Sequence, residues 1–229
     1  MAKVIGYRNT KGAFVKNIGG KDGLASIIDV LVTNNPRTGE REIDSRNTSL
    51  PALSSILSSH RIPQNITIAL EYKIPITERR IDALITGYDK HGVAHAVIVE
   101  MKAWSRNNYK IKKDTVEFRG DTYSHPCYQA YSYQQILIDY NTAVQDGKIN
   151  IHPLVYLYNM DDVSVFQGAY NVPVFGGADG DGLIKYLQSF LQKGDMGHIM
   201  DELVSAPITP SVGLREATKK NLGWSIPFA

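Results

Sequence analysis

The sequence predicts an α/β fold, a mixed sheet flanked by helices, and three observations carry that expectation. Residues 66–74 and 79–101 supply three consecutive β-rich runs, the last two joined by a polar turn at Asp89-Lys90-His91-Gly92, the pattern of a β-hairpin. Residues 127–141 are rich in aromatic and aliphatic side chains and read as a helix. Gln129 and Tyr133 stand four apart on one face of it, and Ile136 and Tyr140 continue that face toward a sheet. Residues 151–158 are strongly apolar and read as a buried strand, and a strand–helix–strand step favours a parallel connection.

The remaining elements follow from local chemistry. Residues 1–20 are short apolar pieces between Gly and Lys, an arm or a strand. Leu24, Ile27, Ile28 and Leu31 recur at helical spacing, giving a short helix over residues 23–33, and residues 34–39 are a loop. Leu50, Leu53, Ile56 and Leu57 mark a helix within residues 42–60, expected to start at Ser49 so that Pro51 falls in its first turn. Residues 66–74 alternate as a strand ending at Pro75. Residues 105–119 are polar and locally basic, an exposed loop, and Ser124-His125-Pro126 is a helix entrance. Residues 163–174 are extended or irregular, and the glycine-rich run 176–182 is a flexible connector. Three C-terminal helices are expected over residues 183–193 with Gly194 after the last turn, 196–205, and 211–221 with Ser211 as N-cap. The chain reads as one domain over 1–229, with a core at about 42–160 and a C-terminal helical extension at 176–229.

A hydrophobic content of 43% supports a sizeable core, and a net charge of +2 makes any basic surface local. The single cysteine, Cys127, excludes an intrachain disulfide scaffold. No segment reaches the roughly 20 apolar residues of a membrane span, and the N-terminus lacks a signal-peptide core. The expectation is a cytoplasmic protein with no membrane partner. Zinc-ligand spacing, a Gly-x-Ser-x-Gly elbow and a phosphate-binding P-loop are absent from the sequence.

The chemistry concentrates on the hairpin. Asp82 sits between Ile81 and Ala83, and Glu100 and Lys102 follow Val97-Ile98-Val99. Charges at the end of so apolar a run are costly unless paired. Period-two alternation points Glu100 and Lys102 the same way, and a turn near His91 sets position 82 opposite position 100. Asp82, Glu100 and Lys102 then converge. Two carboxylates, with the Met101 backbone carbonyl as a third oxygen, suit a hard divalent cation, and the lysine is poised to orient water or balance charge. The basic run Arg106, Lys110, Lys112 and Lys113 directly after this patch suits a phosphate backbone. Plainer readings stand beside these: Glu-x-Lys as a solvated strand face, Gln129 and Tyr133 as polar edges of a core helix, Glu71 as a strand-end charge, the basic run as a solvated loop. His125 either caps its helix or touches substrate.

Asp82, then Glu100-x-Lys102, then Gln129-x-x-x-Tyr133 resembles the PD-(D/E)XK nuclease superfamily, in its RecB-type branch. Leu70-Glu71-Tyr72, Arg80-Ile81-Asp82, Val99 to Trp104 and His125 to Tyr133 look like the nuclease-type domain that stands N-terminal to Schlafen-like DNA/RNA helicases in bacteria. The position before Asp82 is Ile81 rather than the proline of the superfamily name. The resemblance implies a restriction-endonuclease-like αβββαβ core and phosphodiester hydrolysis with Mg2+ or Mn2+. It implies that Asp82 and Glu100 hold the metal, with Glu71 or Glu42 as a further acidic partner. Lys102 would position water, and Gln129 and Tyr133 would brace the site. The expected function is a metal-dependent nuclease acting on DNA in bacterial DNA processing or phage defence, with a helicase domain in the same or a separate chain as partner. The alternatives are a catalytically silent nucleic-acid-binding or helicase-docking module of the same fold, and a plain α/β domain with a surface ion-pair network.

Overall fold

In a computed structural model of the protein, residues 4–36, 39–105, 109–118 and 120–221 are described. The order is β1 (Ile5–Thr10), α1 (Lys11–Ile18), α2 (Gly23–Asn34), α3 (Glu40–Leu57), β2 (Thr67–Lys73), β3 (Arg80–Tyr88), β4 (Ala94–Met101), β5 (Lys110–Ile111), β6 (Thr115–Phe118) and β7 (Asp121–Ser124). It continues with α4 (Pro126–Tyr140), α5 (Thr142–Gln145), β8 (Ile149–Leu157), β9 (Val174–Gly176), α6 (Gly180–Phe190), α7 (His198–Ser205) and α8 (Val212–Asn221). The fold is a mixed six-stranded sheet, β1-β2-β3-β4-β8-β9, with helices on both faces. β1–β2, β2–β3 and β3–β4 pair antiparallel, and β4–β8 and β8–β9 are parallel. No helix among the described residues is long and apolar enough to cross a membrane.

The sheet is buried on both faces, which explains why β4 reads as a continuous apolar run. Val97 and Val99 face one core with α1, α2, α3 and α6; Ala96 and Ile98 face the other with α4, α5 and α7. Val97, Val99 and Ile98, each at most 2% exposed, stabilise the fold by about 1.5–3 kcal/mol apiece.

Several elements depart from the sequence expectation. Of the arm or strand expected over residues 1–20, the strand reading holds for the edge strand β1, whereas residues 11–18 form a helix, with Phe14 fully buried. α3 begins at Glu40 and runs through Pro51. Proline there lacks the N–H that would bond the Asn47 carbonyl and costs about 3 kcal/mol in a helix interior. Burial of Leu50, Leu53, Ile56 and Leu57 from this same helix offsets that. Residues 110–118 and 121–124 are not a loop but a three-stranded antiparallel sheet, β5-β6-β7, around buried Val116. The glycine run belongs to ordered structure: Gly176 ends β9 where a Cβ would come within 2.4 Å of the Met160 carbonyl oxygen, and Gly180 opens α6. α6 ends at Phe190 with Leu191 as its cap, so Gly194 is not a helix-ending residue; it packs on Asn65, where a Cβ would lie 2.0 Å from Oδ1. α6 and α7 are integral to the two cores through Leu183, Leu187, Ile199, Met200 and Leu203. On α4 the buried stripe is Cys127, Ala130, Tyr133 and Leu137, with Ile136 and Tyr140 only partly covered. Ser211 does cap α8, its Oγ accepting the Leu214 N–H at 3.2 Å.

The loop after α6 is tied to the sheet by backbone bonds to Tyr88 and by a buried carboxylate. Asp195, 2% exposed, accepts the hydroxyls of Thr67 on β2 and Thr86 on β3, each at 2.7 Å. Asp195→Ala leaves two buried hydroxyls without that acceptor, and at about 1–3 kcal/mol for each unsatisfied group it lowers stability by several kcal/mol. Urea unfolding of the two proteins measures this, and Asp195→Asn should recover part of the loss.

Candidate metal and nucleic-acid site

The site forms where the β3–β4 ladder stops. Register pairs run from Tyr88–Ala94 to Ala83–Val99, which places Asp82 opposite Glu100 one step further along. There the Asp82 carboxylate takes over from backbone: its Oδ2 accepts the Met101 N–H at 2.8 Å. The Lys102 N–H bonds the Tyr156 carbonyl on the β8 side, so the neighbouring Met101 N–H and carbonyl both face the β3 side, toward Asp82.

β2 and β3 both change phase at this level. Ile68 and Leu70 face the core under α3, whereas Tyr72 and Ile74 face the core under α4. A regular strand would keep Leu70 and Tyr72 on one face. Glu71 supplies the switch by adopting a left-handed backbone, φ 52°. Non-glycine residues seldom hold that conformation, and it costs about 1–3 kcal/mol. On β3, Ile81 and Ala83 likewise face opposite cores, on either side of Asp82. The slip opens the end of the sheet between α3 and α4. A cavity of about 630 Å3 lies there, lined by Glu42 and Arg46 of α3, Glu71, Asp82 and Glu100 of the strands, Lys102 and Trp104 just after β4, Tyr123 of β7, and Gln129 and Tyr133 of α4.

Within it, Lys102 Nζ contacts Glu100 Oε1 at 2.7 Å. Glu100 is 1% exposed, and its Oε2 has no hydrogen-bond partner. Burial, reinforced by the Asp82 charge and moderated by Lys102, raises the Glu100 pKa to about 7. Burial likewise raises Asp82, against the pull of Lys102 and the Met101 N–H. Burial alone would lower Lys102, but Glu100 and Asp82 hold its ammonium well above the ordinary lysine value. Gln129 Nε2 donates to the Tyr133 hydroxyl at 3.4 Å, one turn along α4. Burial, with Glu100 and Asp82 adding to it, pushes the Tyr133 hydroxyl pKa up. The three charged residues and the Gln–Tyr pair expected to share a site therefore do stand around one cavity.

The remaining expected residues divide. Glu71 forms an ion pair with Arg46, a residue the sequence reading did not single out; the Glu71 side chain is 17% exposed and the Arg46 side chain 8%. Burial raises the Glu71 pKa despite that partner. Glu42 lines the same cavity from the first turn of α3 and is exposed. Lys110 and Lys113 are exposed around the small sheet, Lys112 pairs with Glu117, and Arg106 lies outside the described residues. His125 caps α4, its Nδ1 accepting the Cys127 N–H at 3.2 Å, so of its two readings the capping one holds. Arg46 could have been found from its spacing: it falls one turn after Glu42 on a helix whose other face is apolar.

A divalent cation fits this donor set in part. Two carboxylates, one with an unpartnered buried oxygen, and a carbonyl on the same edge are hard oxygen ligands. Among the described residues no group of three or more His, Cys, Asp or Glu forms a ready-made ligand cluster, and the ion pair with Arg46 draws Glu71 away.

The buried Glu100 gives a pH signature. Its pKa is raised on folding, so between about pH 4.5 and 7 the folded state binds more protons than the unfolded one, and stability falls as pH rises through that window. His95 and His152 act oppositely: burial lowers both, His152 to about 4, so they favour the folded state as pH rises. The comparison with Glu100→Gln isolates the carboxylate. In chelator, the variant should gain on the wild type by on the order of a few kcal/mol between pH 5 and pH 8, read from thermal melts.

No family model, no curated protein and no solved structure matches the chain.

Proposed function

We propose that the protein is a metal-dependent nuclease that hydrolyses phosphodiester bonds of DNA, of the PD-(D/E)XK type that its motifs resemble. The observation that carries the reading is the unpartnered Glu100 Oε2, buried beside Asp82 and Lys102 in an open cavity. An orphaned carboxylate oxygen at 1% exposure is costly in a protein that asks nothing of it.

Asp82, Glu100 and the Met101 carbonyl would hold the ion, Mg2+ or Mn2+, with Glu42 the further acid on the free side of the cavity. Bound there, such an ion lowers the pKa of water and neutralises a phosphate. Lys102 stays an ammonium because both carboxylates favour its charge, so it donates hydrogen bonds rather than accepting a proton. Its role is to orient water and balance charge at the phosphate. Gln129 and Tyr133 fix the α4 wall, and the neutral Tyr133 hydroxyl remains a donor. The left-handed Glu71 is where the fold stores strain to open the site.

Cleavage assays on DNA and RNA, single- and double-stranded, with Mg2+, Mn2+ or chelator, test this. Metal-dependent products are expected; binding without cleavage on every substrate would point instead to a silent binding module.

A further inference from the structure

The cavity has an aromatic wall that the proposed hydrolysis does not use. Trp104 follows Lys102 by two residues, about 6–7 Å of extended chain. Its ring stacks on Tyr109 (centroids 5.4 Å, planes 22° apart), meets Tyr123 edge-on at 5.9 Å and backs onto buried Phe166 at 5.7 Å. Trp104, Tyr109 and Tyr123, the last on β7, therefore form a layered aromatic cluster over Phe166, the inner ring being fully covered and the others not. Tyr123 is 40% exposed, Trp104 is half-buried, and both line the same cavity as Asp82 and Glu100. The cationic side chains of Arg41, Arg80 and Lys102 line that same cavity.

We infer that Trp104 and Tyr123 form a stacking platform for an unpaired base, so that the substrate is single-stranded nucleic acid or a locally unpaired strand. This rests on the nuclease reading above and specifies its substrate. Aromatic faces beside a cationic edge bind single strands because every base offers a π-face and every nucleotide a phosphate. In a duplex those faces are already stacked, and only base edges and backbone are offered. A cavity of about 630 Å3 falls in the size range that encloses one small ligand, so a nucleotide enters it after leaving its stack. Tyr123, on the rim of the wall, is the residue whose loss disturbs the fold least.

The test measures binding of the full chain by fluorescence anisotropy, in chelator so that no cleavage intervenes. The probes are labelled 20-mers of single-stranded DNA, single-stranded RNA and blunt duplex DNA. Single strands of either sugar should bind at least about tenfold more tightly than the duplex. Tyr123→Ala and Trp104→Leu should each weaken single-strand binding by about 5- to 150-fold, with Tyr123→Phe close to wild type and duplex binding little changed. Equal or tighter duplex binding, or unchanged single-strand binding in Tyr123→Ala, overturns the platform even if cleavage is robust. Tyr123-dependent single-strand binding with no metal-dependent cleavage of any probe overturns the nuclease reading and keeps the platform. If Trp104→Leu fails to fold, Tyr123→Ala and Tyr123→Phe decide alone.

Discussion

Lys102→Ala should lose metal-dependent cleavage by about 10^2–10^3-fold or more, the range found when one positioned donor is removed from a reacting centre. The expectation follows from its contact with Glu100 at 2.7 Å and from the two carboxylates that keep it charged. Removing the ammonium leaves Glu100 without its cation, and the carboxyl responds by holding its proton more firmly rather than by unfolding the sheet. Circular dichroism and a thermal melt in the same buffer confirm that the lost activity is not lost structure. Asp82→Asn and Glu100→Gln should match it in cleavage and, in addition, weaken Mn2+ binding measured by calorimetry, which Lys102→Ala should not. Wild-type cleavage rates in Lys102→Ala would show that this lysine has no part in the chemistry.

The second large effect concerns stability. Arg46→Ala strips the partner from Glu71, a half-buried carboxylate held in a left-handed backbone. Breaking such a pair from one side costs about 3–5 kcal/mol because the remaining charge is stranded. In a chain of this size that is a fall in Tm on the order of 10 °C. Adding Glu71→Gln to Arg46→Ala should restore much of it, because no stranded charge remains. A double variant no more stable than Arg46→Ala alone would mean that Arg46 acts through packing against α3 rather than through Glu71.

Much of this was legible in residue order. Alternation over 66–74 and 79–101 located β2, β3 and β4, and a turn near His91 set Asp82 against Glu100 because partners in an antiparallel pair keep a constant sum. Period-two spacing put Glu100 and Lys102 on one side, where they are in contact. Spacing of four put Gln129 over Tyr133. The small sheet was not legible: β5 has two residues and β6 and β7 four each, too short and too polar for a periodic signal. The continuation of α3 through Pro51 was not legible either, since local propensity breaks a helix there and only tertiary burial keeps it.

By itself, then, the sequence determined which residues carry charge beside an apolar hairpin and which of them share a face, because those depend on backbone periodicity alone. The tertiary structure decided what surrounds them. It gave Glu71 to Arg46 across the gap between a helix and a strand, reversed the faces of β2 at one left-handed residue, and brought Trp104 and Tyr123 from separate segments onto the wall of the same cavity. Those relations join positions 19 to 25 residues apart through packing, and no local period encodes them.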